Sequence, residues 1–324
     1  MPPTRTIAIV SDIHYAAPAE QARRGYEANA IPGPLLRGMA RAFRRHVWLR
    51  DPLGHNHLLD RFLAAAAGAD FVVANGDYSC DSAFVGVGDD AALSSASLCL
   101  GKLRQQFPDR LAVVFGDHEL GKMSLFGGQG GPRLASWQRL VGELGLPPFW
   151  HQSFGRYELM GVVSSLVALP VFAPELLSGE TTAWEELRAG HLAEISRAFA
   201  ELPPDHRVIL FCHDPSALPF LLDSEPLRQK LGQIELTIIG HLHTGWVLRL
   251  SRMMSGLPPV GFLGNSVRRM SAALWRARAW RPFHVRLCPS LAGSELLKDG
   301  GYCLLTLDPE ALEPAQLRVQ AIAR

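Results

Sequence analysis

Five short segments of the chain end in side chains that bind metals or move protons. They hold Asp12 and His14 in SDIH, Asp77 in NGDYSCD, Asp117 and His118 in GDHE, His213 in CHD, and His241 and His243 in GHLH. Carboxylates and imidazoles hold hard-to-borderline divalent ions such as Mn, Fe, Zn and Co. Residues i and i+2 of an extended segment project to the same side, so a DxH or HxH pair can share one ion. Eight such side chains exceed what one ion can use and fit two ions with one bridging carboxylate. Glycines precede Asp77, Asp117 and His241, at places where backbone must approach a ligand closely.

Each segment follows an apolar, largely β-branched run: IAIV, FVVA, LAVVF, RVILF and LTII. Continuous apolar runs of this length suit strands covered on both faces, so each strand delivers its polar residues at its carboxyl end. A later run, GYCLLTLD, reads as a further strand, and the uncharged stretch 159–174 reads as buried strand. Helical patterns occupy 58–67, 93–107 and 182–202, the last stopping before Pro203 and Pro204. Strands alternating with helices predict a layered α/β architecture. The interval from His14 to Asp77 is longer than a crossover helix needs, so residues 16–55 are expected to hold an insertion or lid. The Gly-rich stretch 121–156 is expected to form a loop over the site, and 245–324 to hold the last strands and an Arg/Trp-rich segment. With no repeat and no linker, residues 1–324 read as one domain.

In their order these motifs resemble those of the calcineurin-like metallophosphoesterases, whose pattern runs D-x-H, GD, GNH(D/E), H and GH-x-H. The resemblance spans residues 12–243. It implies an α/β fold, a four-layer α/β/β/α sandwich with inserted lid segments, built around two divalent ions, Mn²⁺ foremost and Fe, Zn or Co as alternatives. Carried over position by position, Asp12, His14 and His243 would hold the first ion, Asp77 would bridge, and Asp117, His213 and His241 would hold the second. His118 would face the scissile phosphate without binding a metal. The implied reaction is hydrolysis of a phosphoester or pyrophosphate by a hydroxide bridging the two ions, with His118 stabilising the transition state or protonating the leaving oxygen. Asp117 stands where the family has asparagine; its charge is expected to tighten the second ion and lower its Lewis acidity.

Composition sets outer limits. With 48% hydrophobic and 19% charged residues, the 324-residue chain is neither a disordered tail, a collagen-like fibre nor a coiled coil. A net charge of +1 excludes whole-molecule attraction to nucleic acid, and no stable nucleic-acid partner is expected. The cysteines at 80, 99, 212, 288 and 303 are odd in number and lack a CxxC pair, which suits reduced thiols in the cytoplasm. Cys80 and Cys212 are assigned to packing, and Asp81 and Asp214 are candidate partners for orienting the ligands. The N-terminus carries no secretory pattern, and no stretch reaches the roughly 20 apolar residues of a bilayer helix.

Two stretches depart from the neutral average. Residues 28–50 lack acids, and on a helical wheel Leu36, Met39, Phe43 and Val47 share one face while Arg37, Arg41 and Arg44 share another with Trp48. Residues 268–286 also lack acids and gather Arg268, Arg269, Arg276, Arg278, Arg281 and Arg286 around Trp275 and Trp280. Such surfaces suit anionic headgroups or polyphosphates. Arg37, Arg41, Arg276 and Arg278 are therefore the candidate substrate contacts. The implied substrate is small or lipid-linked, anionic and partly apolar, of the UDP-2,3-diacylglucosamine type, met by a cytoplasmic protein peripheral on an anionic membrane. The usual GNRD form of the third motif in the hydrolases of that substrate is absent here. Two other classes stay open: a nuclease or cyclic-nucleotide phosphodiesterase, and a non-catalytic scaffold such as the retromer subunit. Scaffolds typically lose ligands, whereas every ligand position here holds a competent residue.

Overall fold

A computed structural model describes residues 3–23, 29, 31, 33–80, 83–122, 130–253, 269, 271–272 and 275–323. The apolar runs become β1 (Arg5–Val10), β2 (Phe71–Asn75), β3 (Leu111–Val114), β6 (Arg207–Cys212) and β7 (Ile234–Ile239). The remaining described strands are β4 (Trp150–Phe154), β5 (Tyr157–Val162), β8 (Val285–Leu287), β9 (Gly301–Leu307) and β10 (Gln316–Ala321). One sheet has the order β10-β9-β1-β2-β3 and the other β4-β5-β6-β7-β8. β1, β2 and β3 run parallel, as do β5, β6, β7 and β8, while β9, β10 and β4 run antiparallel to their neighbours.

The period of two along each strand sorts side chains into separate cores. Ile7 and Ile9 of β1 and Val73 of β2 face Leu159, Ile209, Phe211 and Ile238 of the second sheet, closing a sheet-on-sheet core. The alternate residues, Ala8, Val10, Val72 and Ala74, turn outward onto Leu58, Leu59 and Phe62 of helix Asn56–Ala65 and Leu100 and Leu103 of helix Asp90–Gln106. On the other side, Met160, Val162, Val208 and Leu210 meet Ile195 and Phe199 of helix Thr181–Ala200. The layers are thus helix, sheet, sheet, helix, the α/β/β/α sandwich that the motifs imply. β1, β2, β3, β6 and β7 deliver their carboxyl ends to one rim.

The stretch 159–174 departs from its reading as strand. β5 ends at Val162, and helical turns Ser164–Val167 and Leu169–Phe172 follow. An apolar run without periodicity does not distinguish a strand from a buried helix, and Pro170 sits in the first turn of the second segment, where its missing N–H costs nothing. Within 121–156, residues 123–129 lie outside the described part; the rest includes helix Leu134–Gln138, the π-helical turn Arg139–Glu143 and β4. β4 is polar and largely exposed because it is an edge strand, so it lacks the apolar run that marks the others. Within 16–55, helix Pro34–Phe43 continues into a π-helical turn, Arg44–Trp48. Among the described residues no helix is long and apolar enough to cross a membrane.

His191 of helix Thr181–Ala200 ties the outer layer to the rim, its Nε2 accepting the Val163 N–H at 3.1 Å. Burial lowers its pKa from 6.5 to about 4. The unfolded chain takes up a proton in that interval and the folded chain does not. The contribution of His191 to stability is therefore intact above about pH 6.5 and falls as pH drops to about 4. The loss amounts to about 3 kcal/mol. Urea unfolding of His191→Gln between pH 7 and 4 should show that much less pH dependence than the unmodified chain. Parallel curves would contradict the assignment.

Candidate metal centre

The rim residues are held by backbone pairing between strand ends. Asp12 N–H donates to the Gly76 carbonyl at 3.0 Å and His14 N–H to the Asp77 carbonyl at 3.0 Å, so the loops after β1 and β2 run together. Asp12, His14, Asp77, His241 and His243 all adopt left-handed φ, at 51°, 50°, 60°, 60° and 57°. Asp and His tolerate that region better than most residues, yet each such position stores about 1–3 kcal/mol that the surrounding structure must offset. Gly76 has φ +95°, and a Cβ there would stand 2.5 Å from His213 Nδ1. A Cβ on Gly116 would stand 2.0 Å from Asp77 Oδ1. Larger residues at either position would push the site apart.

Two groups of donors result. Asp12, His14, Asp77 and His243 form one, and Asp77, Asp117, His213 and His241 the other, with the donor atoms of each group within 4.8 Å of one another. Asp77 belongs to both. In the first group His243 Nε2 lies 3.1 Å from Asp12 Oδ1 and 3.5 Å from His14 Nε2. In the second, His213 Nε2 lies 3.2 Å from Asp77 Oδ2 and 3.7 Å from Asp117 Oδ1, and His241 Nδ1 lies 3.2 Å from Asp117 Oδ1. Asp12 and His213 are fully buried, Asp77 is 1% exposed and Asp117 is 2% exposed.

Backbone carbonyls orient the imidazoles. His14 Nδ1–H donates to the Ser79 carbonyl at 3.3 Å and His213 Nδ1–H to the Asn75 carbonyl at 2.6 Å. A carbonyl can only accept, so when either ring is neutral its Nε2 lone pair faces the cluster. Burial opposes a charge on His213, but Asp77 and Asp117 outweigh it and raise its pKa, so a cation binding there must displace a proton. His213 Nε2 is buried and, despite its closeness to Asp77, has no aligned hydrogen-bond partner. An orphaned imidazole nitrogen among buried carboxylates fits a divalent ion well.

Electrostatics divide the two groups. Burial, with His118 beside it, lowers the pKa of His14 to about 4, and burial likewise lowers that of His243 to about 4. Both stand neutral, as ligands must. Burial opposes the charge on Asp77, but His213 and His118 outweigh it and hold the carboxyl well below its ordinary range. Asp117 shows the same balance, with His241 and Arg269 overcoming burial.

His118 stands between the groups without joining either. Its N–H donates to Asp77 Oδ1 at 3.1 Å, its Nδ1–H to the Cys80 carbonyl at 2.9 Å, and its ring lies 4.8 Å from that of His14. Burial works against its charge, but Asp77, Asp117 and Glu119 together raise its pKa.

Three of the four candidate substrate arginines have described partners outside the two donor groups. Arg37 donates to the Ile31 carbonyl and Arg41 to Asn29 Oδ1, while Arg276 lies over the Phe220 ring and Arg278 is exposed. Arg268 and Asp81 lie outside the described residues. Asp214 caps the following turn through Ser216 N–H, and its Oδ2 is 3.9 Å from His241 Nε2, beyond hydrogen-bonding reach. All five cysteines are buried thiols outside any disulfide.

Three residues that motif spacing passed over complete the site. Trp48, at the end of the π-helical turn, packs its ring 4.4 Å from that of His243. Arg269 donates from Nη1 to Asp117 Oδ2 at 2.9 Å. Glu119 accepts the N–H groups of Asp77, Tyr78 and Gly116 at 3.0, 2.7 and 2.7 Å, fastening the β2 and β3 loops together. Burial, helped by Asp77, pushes the Glu119 carboxyl up to about 7. Its place in GDHE, two residues after Asp117, was the available signal.

The sequence profile of the calcineurin-like phosphoesterases matches residues 5–245, about three quarters of the chain. The chain belongs to that family, and it is a phosphoester hydrolase with a buried Asp/His cluster suited to divalent ions. Among solved structures, a conserved uncharacterized protein described as a predicted phosphoesterase, from Streptococcus pneumoniae TIGR4, is 11% identical. The match covers 99% of this chain and 100% of that one, with a TM-score of 0.27. No curated protein sequence matches the chain.

Replacing Glu119 by Gln leaves one acceptor oxygen for three N–H groups. In urea titrations at about pH 8, where the carboxyl is ionised, Glu119→Gln should lower the unfolding free energy by about 2–3 kcal/mol, through the loss of charge-assisted bonds. A change within about 0.5 kcal/mol would show that this clasp is not needed.

Proposed function

We propose that the chain hydrolyses a phosphoester or pyrophosphate at a pair of divalent cations, Mn²⁺ foremost. Asp12, His14 and His243 would hold the first, Asp117, His213 and His241 the second, and Asp77 both. The observation that carries this reading is the membership of one buried carboxylate, Asp77, in both donor groups. Bound cations would polarise phosphoryl oxygens and make water a stronger nucleophile near neutral pH.

The chain's own residues then hold the reacting groups. His14 and His213, pinned through Nδ1, keep Nε2 directed inward. His118 is pinned in the same way by the Cys80 carbonyl, so its Nε2 turns towards the cluster, 3.9 Å from Asp77 Oδ2. Its raised pKa supports a role as hydrogen donor to a phosphoryl or leaving oxygen.

Helix Pro34–Phe43 supports a substrate that is partly apolar. Leu35, Leu36, Met39 and Phe43 are exposed along it, and its π-helical extension ends at Trp48 against His243. An apolar, basic helix leading into a phosphate-cleaving site suits a lipid-linked substrate, such as a nucleotide-linked precursor of the UDP-2,3-diacylglucosamine type. On this reading the chain works in the cytoplasm, peripherally on an anionic membrane.

Chelator-stripped protein should lose hydrolysis of bis-p-nitrophenyl phosphate or the monoester and regain it with Mn²⁺. Asp77→Ala should cost at least about 10³-fold in kcat and His118→Ala about 10²–10⁴-fold. Turnover unchanged in both variants would remove the site assignment. In sedimentation with anionic vesicles, Leu36→Glu/Met39→Glu should reduce binding at least about tenfold. Equal binding would leave the lipid reading without support.

A further inference from the structure

Asp117 adds a negative charge where the family pattern has a neutral asparagine, and the fold answers with a buried cation of its own. Arg269 is 152 residues away in sequence, yet its Nη1 donates to Asp117 Oδ2 at 2.9 Å and its Nη2 lies 3.0 Å from His241 Nε2. Its side chain is only 13% exposed. The guanidinium carbon also lies 5.3 Å from the centroid of the Phe172 ring, so its plane is braced on an aromatic face. Its fork thus spans two of the four residues of the second donor group.

The hydrogen-bond polarity of this contact is fixed. Arginine has no lone pair, so His241 Nε2 accepts from Nη2, and the ring proton sits on Nδ1, directed at Asp117 Oδ1 at 3.2 Å. In this arrangement one Asp117 oxygen is committed to Arg269, and the His241 nitrogen facing the cluster carries a proton instead of a lone pair. A cation entering the second group must take Asp117 through Oδ1 alone, move the His241 proton from Nδ1 to Nε2 and so displace Arg269 from that nitrogen, and tolerate a neighbouring positive charge. No comparable side-chain cation touches Asp12, His14 or His243 among the described contacts.

Building on the dinuclear reading above, we propose that Arg269 is an internal competitor for the second cation. It lowers affinity in the group holding Asp117 and His241 and leaves the group holding Asp12 and His243 untouched. The two ions then bind unequally: one is held firmly and the other exchanges. The Asp117–Arg269 pair replaces the neutral asparagine with a site whose occupancy follows the concentration of free divalent ion. Arg269 is a positioning residue here, since it acts through Asp117 and His241.

The test is isothermal titration of the chelator-stripped full-length chain with Mn²⁺ alone, which reads affinity without reference to turnover. The unmodified chain should bind in two unequal steps. Arg269→Gln should tighten the weaker step at least about tenfold and leave the stronger one unchanged, since a unit charge a few ångströms away is removed. A merely structural role predicts the opposite, a weakening. Arg269→Lys keeps the charge but cannot span both partners, and should tighten the weak step by about threefold. It also serves if the glutamine variant fails to fold. In an Asp117→Asn background the gain from Arg269→Gln should shrink, because the competing ion pair is already gone. An unchanged or weakened second step in both single variants overturns the inference and leaves the two-ion reading intact. Absence of Mn²⁺ binding by the unmodified chain overturns both.

Discussion

Three carboxylates, Asp12, Asp77 and Asp117, converge in a space almost closed to water, and much of the rim is built around that fact. A buried anion without a partner costs several kcal/mol, so each must be compensated locally. His243 and the Ser11 hydroxyl meet Asp12, His213 and the His118 N–H meet Asp77, and Arg269 with His241 meets Asp117. Even these partners leave His213 Nε2 without an aligned bond. The remaining compensation is what two divalent ions would supply, and their binding would also offset the strain of left-handed φ at these residues.

The sandwich makes that convergence affordable. Two sheets share one apolar core and carry helices on their outer faces, so parallel strands from both can end at a common rim while remaining firmly held. Loops after β1 and β2 are hydrogen-bonded to each other, and Glu119 ties in the loop after β3. Strain localised at the rim is thereby resisted by layers that bury whole strands.

Much of this was legible in the sequence, because chemistry and structure change at the same residues. Apolar runs such as IAIV and FVVA stop where SDIH and NGD begin, so strand ends and donors could be read together. The layering of two sheets came only from the family resemblance, since runs of like hydropathy do not say which strands pair. The stretch 159–174 misled because its apolar character serves a strand up to Val162 and buried helical turns beyond it. β4 was hidden by its polar edge position.

Arg269 shows a different limit. The unusual Asp117 was visible and so was the acid-free arginine stretch, but composition cannot say which arginine folds back onto an acid 152 residues earlier. Arg37, Arg41, Arg276 and Arg278 were equally plausible by composition, and the described partners of the first three lie outside the donor groups. A charge that breaks a motif is a reason to seek its counter-charge, which only three-dimensional packing identifies.

The most direct test of the central claim is anomalous diffraction from crystals soaked in Mn²⁺. The account predicts two anomalous peaks per chain, one among Asp12, His14 and His243 and one among Asp117, His213 and His241, with Asp77 contacting both. A rim that takes up no manganese, or a single peak remote from Asp77, would contradict it.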